Sequence, residues 1–317
     1  MEKLTILLLL AILILSTIGC QSGGYRLSKS LKPQLLASYK AQSTYPYYLY
    51  IPERAMIQEE NSYPLLIFLH GSGERRDELD PIALMHGPLK PFFYGDMDSK
   101  DIDPQTLEEL NDHVKQSFVL VPQVPLNEYW DVNKLNSLIR SIMEEYQVDR
   151  DRIYLTGLSM GGYGVWDYGS KYTNNIAALV PICGGYESDT PLSSELSIKP
   201  IWAFHSFNDP AVSRTETQDR IMNFLMGTNI VEPFNPANRF LTETAYPHTD
   251  GNSTKSAKGS FTLSWNNGTV LGWSKGSAMP QGTINYTVYS SNSHDSWTRT
   301  YDNKTMWKWL YSQRLNP

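Results

Sequence analysis

The sequence predicts an α/β domain: a mostly parallel sheet covered by helices on both faces. Three observations predict it. Short runs recur that are apolar at every position rather than at alternate ones, which marks strands buried on both faces. Stretches with a helical apolar stripe separate them. One serine stands among glycines directly after such a run, in "IYLTGLSMGGYGVW" (153–166), where glycine weakens any regular element unless the backbone requires it.

Taken in order, "YPYYLYIP" (45–52) reads as an early strand, and "YPLLIFLH" (63–70) as a central one bounded by Pro64 and Gly71. "SFVLVPQ" (117–123) is a third. "NKLNSLIRSIMEEY" (133–146) sets Leu135, Leu138, Ile139, Ile142 and Tyr146 on one helical stripe. "RIYLTG" (152–157) is again a strand, with a helix expected through "YGVWDYGSKY" after the glycines. "NIAALVPICGG" (175–185) and "PIWAFHS" (200–206) repeat the apolar run. "SRTETQDRIMNFLMG" (213–227) opens on Ser213-x-x-Glu216, a capping box, and closes at Gly227. The last pair is the strand "INYTVYSS" (284–291) and a helix around "NKTMWKWLYSQR" (303–314). Residues 228–283 break the alternation. They are rich in Gly, Asn, Ser, Thr and Pro, and "FTLSWNNGTVLGW" (261–273) reads as a hairpin turning at Asn267-Gly268. So long a departure is either an inserted flap or lid, or a decorated loop.

The 317 residues, 41% hydrophobic and 19% charged, are ordinary for a globular protein. A net charge of -6 and the lack of a Lys/Arg cluster exclude nucleic acid as a partner. The 8 Trp and 20 Tyr suit a carbohydrate or aromatic ligand, or serve as core and rim residues. At the N-terminus, Met1-Glu2-Lys3 precedes the apolar "LTILLLLAILILSTIG", which is short for a bilayer span and ends in small residues before Cys20. It resembles a bacterial lipoprotein signal over 1–19, implying lipid attachment at Cys20, a tether over 20–40 and a domain over 41–317. That places the protein on a membrane of the cell envelope. The alternative is ordinary secretion to the periplasm or medium after cleavage at a Thr17-x-Gly19 pattern. Cys20 and Cys183 are the two cysteines. With Cys20 lipidated, Cys183 stays single and the core holds the fold without a disulfide.

Gly157-Leu158-Ser159-Met160-Gly161 is G-x-S-x-G between a strand and an expected helix. A sharp strand-to-helix turn strains the backbone at the serine and crowds positions two residues to either side, so glycine stands there. A serine hydroxyl needs a base, and the base needs a carboxylate to orient it. With the order nucleophile, acid, histidine, three histidines follow Ser159. His205 ends a strand near the acid, His248 sits inside the irregular segment, and His294 follows the last strand, where the base belongs. For the acid, Asp209 falls just past the end of a strand. Asp189 comes too soon, Asp219 lies inside an expected helix, and Asp295 is adjacent to His294. An oxyanion wants two backbone N–H donors: Met160, next to the nucleophile, and the loop "LHGSGERRD", where Ser72 is favoured over Gly71. His70 reads as a residue that pins this loop. Trp130 either borders an acyl pocket or packs. No ligand-spaced His/Cys set implies a metal, and no cofactor is expected.

With "LHGSGERRDE", "VPQVPLNEYW", "VDRDRIYLTGLSMGGYGVWDYGSKY", "ALVPICGG", "AFHSFNDPAV" and "SHDSWTRTYDN", the chain resembles the α/β-hydrolases. The similarity is to a bacterial branch of peptidases and esterases related to polyhydroxybutyrate depolymerases, feruloyl and acetylxylan esterases, and dienelactone hydrolase-like proteins. The resemblance implies an α/β-hydrolase fold with a hairpin-containing insert between acid and histidine. It also implies a triad of Ser159, Asp209 and His294, with oxyanion donors at Ser72 and Met160. The chain departs in the 85 positions from 209 to 294 and in "ERR" after Gly73 in place of Glu-Arg-Gly. The expected activity is hydrolysis of carboxylic esters, small molecules or polysaccharide side groups, through an acyl-enzyme. A serine peptidase of prolyl-oligopeptidase-like type is the alternative within the same chemistry. A non-catalytic binding protein on the same scaffold is the alternative outside it.

Overall fold

The structure, a computed structural model, describes residues 35–38, 44–57, 61–93, 112–113, 115–185, 194–227, 260–266, 269–275 and 282–316. The leader, Cys20, Asp189 and His248 lie outside the described residues, as does most of the tether. The strands are β1 Leu35–Ser38, β2 Tyr47–Tyr50, β3 Tyr63–Leu69, β4 Phe118–Pro122, β5 Val148–Leu158, β6 Ala178–Ile182, β7 Ile201–Ser206, β8 Ser260–Asn266, β9 Thr269–Lys275 and β10 Ile284–Tyr289. They form one sheet in the order β1-β2-β4-β3-β5-β6-β7-β10-β8-β9. From β4 to β10 all neighbours are parallel. At the two edges, β1, β2, β8 and β9 pair antiparallel.

Both faces of the sheet are covered, as the unbroken apolar runs require. Alternate side chains of β3 divide between two cores. Leu65, Ile67 and Leu69 pack with Leu135, Leu138, Ile139 and Ile142 of α3 (Val132–Glu145) and with Val165, Trp166 and Tyr168 of α4 (Met160–Lys171). Leu66 and Phe68 pack on the opposite face with Met306, Trp307, Trp309 and Leu310 of α7 (Lys304–Ser312). Two short helices, α1 (Glu53–Ile57) and α2 (Lys90–Phe93), precede these, while α5 (Arg214–Gly227) and α6 (Trp297–Tyr301) follow β7 and β10. Asp131 caps α3 by accepting from the N–H groups of Asn133 and Lys134 at 2.8 and 3.1 Å, and Asn303 caps α7 in the same way. The capping box at α5 is half formed. Ser213 Oγ accepts from Thr215 N–H at 3.3 Å, but Glu216 accepts the Tyr163 hydroxyl instead of reaching back to Ser213.

Two readings of the sequence change. The stretch read as tether contributes β1, which covers the outer edge of β2 and so brings the start of the domain forward to Leu35. The described part of the insert is neither flap nor lid. Its hairpin, β8 and β9, pairs in register with β10 and extends the sheet, because the outer edge of β10 is otherwise an open row of N–H and C=O groups. The expected turn at 267–268 lies outside the described residues, but Asn266 and Thr269 are partners across it. A buried polar line fastens the hairpin. Trp202 Nε1 of β7 donates to Thr287 Oγ1 of β10 at 2.8 Å, and Thr287 Oγ1 lies 2.7 Å from Thr262 Oγ1 of β8.

Thr287→Val strands both partners of that line and is expected to lower unfolding stability by about 1–3 kcal/mol. Thr262→Val spares the indole bond and should cost less. Chemical denaturation midpoints of the two variants check the ranking, and equal losses would show that the line does not anchor the hairpin.

Candidate active site

Parallel strands put their C-terminal ends on one sheet edge, and the loops that leave β3, β5, β7 and β10 there build the site. Leu69 of β3 pairs with Gly157 of β5, so the loop after His70 lies against the turn after Leu158. Ser159 sits on that turn at φ 52°, ψ −120°, a region that residues with a Cβ rarely adopt. Close backbone approach enforces it. A Cβ on Gly161 would lie 2.0 Å from the Leu69 carbonyl oxygen, and one on Gly157 2.7 Å from the Gly161 carbonyl oxygen.

The three residues expected from the sequence come together. His294 Nε2 is 2.9 Å from Ser159 Oγ, and His294 Nδ1 is 2.7 Å from Asp209 Oδ2. The loops that carry acid and histidine leave adjacent strands and are laced by Phe207 N–H to Tyr289 O at 2.9 Å and Asn208 N–H to Ser291 O at 3.0 Å. The 85 residues between 209 and 294 thus close into neighbouring loops. Asp209 Oδ1 accepts from Ala211 and Val212 N–H at 2.8 and 3.0 Å. Burial alone raises this carboxyl, but the hydrogen bonds from His205, His294 and the two N–H groups outweigh it and hold Asp209 well below the usual carboxylate range. His205 has a larger part than the sequence assigned it. Its Nε2 lies 3.2 Å from Asp209 Oδ2, and its Nδ1 2.8 Å from Thr217 Oγ1. The His-x-x-x-Asp spacing at a strand end is the signal that carries it.

Ser72 and Met160 both line the cavity that contains Ser159. Met160 opens α4, where backbone N–H groups have no partner inside the helix. His70 pins the loop as expected. It is fully buried, its Nε2 accepts from Val124 N–H at 3.0 Å, and its Nδ1 bonds the Gly71 carbonyl at 2.6 Å. Trp130 packs and also lines the cavity. Its Nε1 donates to the His70 carbonyl at 3.2 Å, its ring packs edge-on to Tyr45, and it walls the cavity. That cavity, about 340 Å³, is lined besides by Arg75, Tyr129, Tyr163, Gly164 and Asp167. The charged and aromatic members were not legible in the sequence, since loop side chains carry no periodicity.

Among the described residues, Cys183, Asp209 and His294 bring donor atoms within 4.8 Å of one another. Asp209 and His294 are hydrogen-bonded to each other, and burial pushes the Cys183 thiol up to about 12.

No family model matches the chain. The bifunctional acetylxylan esterase/xylanase of Neocallimastix patriciarum is 27% identical over 118 residues, which are 37% of this chain and 16% of that protein. A thermostable esterase structure is 24% identical with a TM-score of 0.58, covering 88% of this chain and 63% of that one. The chain thus spans less than two thirds of either. The acetyl xylan esterase from Aspergillus awamori is 11% identical with a TM-score of 0.51, covering 87% of this chain and 99% of that one.

Burial lowers the His70 pKa to about 4, against the rise from its Gly71 bond. Between about 6.5 and 4 the unfolded chain binds the extra proton and the folded one does not. Stability therefore falls as pH drops through that window, by up to about 3 kcal/mol. Burial raises Glu74, which works in the opposite direction, so the readout is wild type minus His70→Gln. The wild type should lose more stability between pH 7 and 4.5 than the variant, and parallel slopes would remove the neutral acceptor role of His70.

Proposed function

We propose that this chain, an α/β-hydrolase by fold, is a serine hydrolase that cleaves carboxylic esters through an acyl-enzyme. The observation that carries the reading is the unbroken hydrogen-bonded chain Ser159–His294–Asp209 at 2.9 and 2.7 Å, starting from a serine at positive φ. As Ser159 Oγ attacks the ester carbonyl, its proton passes to His294 Nε2. Asp209 holds the Nδ1 proton and balances the imidazolium. The carbonyl oxygen becomes an oxyanion beside the N–H groups of Met160 and Ser72 and the N-terminus of α4. His294 returns the proton to the leaving alcohol, and the serine keeps the acyl group. Water then attacks, His294 takes its proton, and Ser159 leaves with that proton as the acid is released.

The names of the relatives support an ester bond as the target, and polysaccharide ester side groups are the substrate class we favour. The aromatic walls Tyr129, Trp130 and Tyr163 suit a sugar ring or an aromatic acid. Export belongs to the same proposal: lipid on Cys20 would hold the domain at a bacterial membrane facing its substrate. Cys20→Ser should move the protein from the membrane to the soluble fraction, and unchanged fractionation would remove the lipid.

The protein is expected to hydrolyse p-nitrophenyl acetate and butyrate, with Ser159→Ala losing about 10⁴-fold or more in kcat/KM. Retention of the wild-type rate by that variant would overturn the nucleophile. A parallel panel of acetylxylan, feruloyl, acyl-lipid and peptide substrates separates esterase from peptidase, a peptide preference deciding for the latter.

A further inference from the structure

The cavity beside Ser159 has two charged side chains on its wall, and they are not equivalent. Asp167 lies 3.3 Å from Arg220 Nη2, a buried guanidinium, so its charge is balanced. Arg75 has no carboxylate partner among the described residues. Its Nε donates to the Ser72 carbonyl at 3.1 Å, and its Nη1 to the Glu128 carbonyl at 3.2 Å. Those two acceptors fix the plane of the group without neutralising it, and three of its five N–H donors are left over. Glu128, on the facing loop, directs its carboxylate to Lys134 at 3.0 Å, and Glu74, the acid preceding Arg75, faces His86 at 3.6 Å. The next residue, Arg76, adds positive charge to the same turn; among the described residues it bonds the carbonyls of Gly73 and Arg75, and its charge acts on the Glu74 carboxyl.

Tyr129 completes the arrangement. Its ring lies 5.7 Å from the Arg75 guanidinium carbon, and the side chain is 63% exposed at the cavity mouth. A large aromatic left so open beside a fixed cation forms a platform with a charge at its rim. Bracing a turn requires the two carbonyl bonds of Arg75. It does not require a full unbalanced charge facing the cavity that holds the nucleophile.

Resting on the hydrolase reading above, we infer that Arg75 is a specificity-determining residue, and that the ester taken by Ser159 carries a carboxylate within reach of Arg75. A planar guanidinium edge receives a carboxylate through two parallel N–H bonds. The cavity volume of about 340 Å³ accepts one ring bearing such a group. The carboxylate can belong to the acyl part or to the alcohol part of the ester, and the experiment has an arm for each.

On the alcohol side, kcat/KM is measured for 4-acetoxybenzoate and its neutral twin 4-acetoxybenzamide. On the acyl side, it is measured for mono-4-nitrophenyl adipate and 4-nitrophenyl hexanoate. In at least one pair the wild type should favour the anionic ester by about tenfold or more, and that ratio should shrink as ionic strength rises. Arg75→Gln should lower the ratio by about tenfold, with Arg75→Lys between the two. Equal or better use of the neutral ester in both pairs, or an unchanged ratio in Arg75→Gln, would overturn the inference. If Arg75→Gln is inactive on every ester, the wild-type ratio and its salt dependence decide. Turnover of the neutral esters that survives Ser159→Ala defeats the hydrolase reading itself. Turnover that depends on Ser159 but shows no anionic preference defeats only the role of Arg75.

Discussion

The contact between the backbone of Gly161 and the end of β3 is the constraint on which the site rests. A residue with a Cβ at φ 52° costs on the order of 1–3 kcal/mol unless its surroundings over-determine it. At Ser159 they do. The Leu69 carbonyl leaves no room for a methyl group at position 161, and Ser159 N–H is tied to Ile182 O of β6 at 3.0 Å. The turn is therefore gripped from the strands on both sides of β5. The same grip brings Gly71 up to Ser159, where a Cβ on Gly71 would lie 3.6 Å from the serine Cβ. Ser159 and the loop proposed to hold the oxyanion are set by one packing event.

Asp209 is the second fixed point. Four contacts converge on one carboxylate: His294 Nδ1 at 2.7 Å and His205 Nε2 at 3.2 Å to Oδ2, the latter also 3.0 Å from Val212 O, and two backbone N–H groups on Oδ1. His205 is fully buried and held from behind by Thr217, whose hydroxyl donates to the Gly184 carbonyl. Three of these four contacts hold the acid independently of His294, which is the more exposed partner and, in the proposed mechanism, the member that carries a proton between Ser159 and a leaving group.

What could be read in the sequence follows from what is buried. β3 to β7 were legible because each is apolar on both faces, and Ser159 because a lone serine among glycines after such a strand has few structural uses. Asp209 and His294 were legible because they fall just past strand ends in the right order. β1 was not, since its middle residues are exposed and only an edge partner makes it a strand. The Asn-Gly signal gave the hairpin but not its destination, which depends on the tertiary contact of Thr262 with Thr287. At α5 the sequence paired Glu216 with Ser213, whereas Tyr163 claims Glu216 across 53 residues. Of the cavity wall the sequence offered Trp130 but not the pairing of Arg75 with Tyr129, which meet only once two loops are laid side by side.

Those two loops are joined by buried hydrogen bonds. Gln123 is fully buried with its amide spent on the Glu74 carbonyl at 2.7 Å and the Asp80 N–H at 2.6 Å. Arg76 N–H reaches Val124 O at 3.2 Å, Val124 N–H reaches His70, and Trp130 closes the line on the His70 carbonyl. Buried polar networks of this kind are rigid when every member is satisfied, because each unmade bond carries its full desolvation cost. The cavity wall that carries Arg75 and the turn that carries Ser72 therefore behave as one body. Under the proposed function, binding on the Arg75 side and stabilisation of the oxyanion would then be mechanically linked. His70 stands at the centre of that link as a neutral acceptor, placed by burial and not by any contact with substrate.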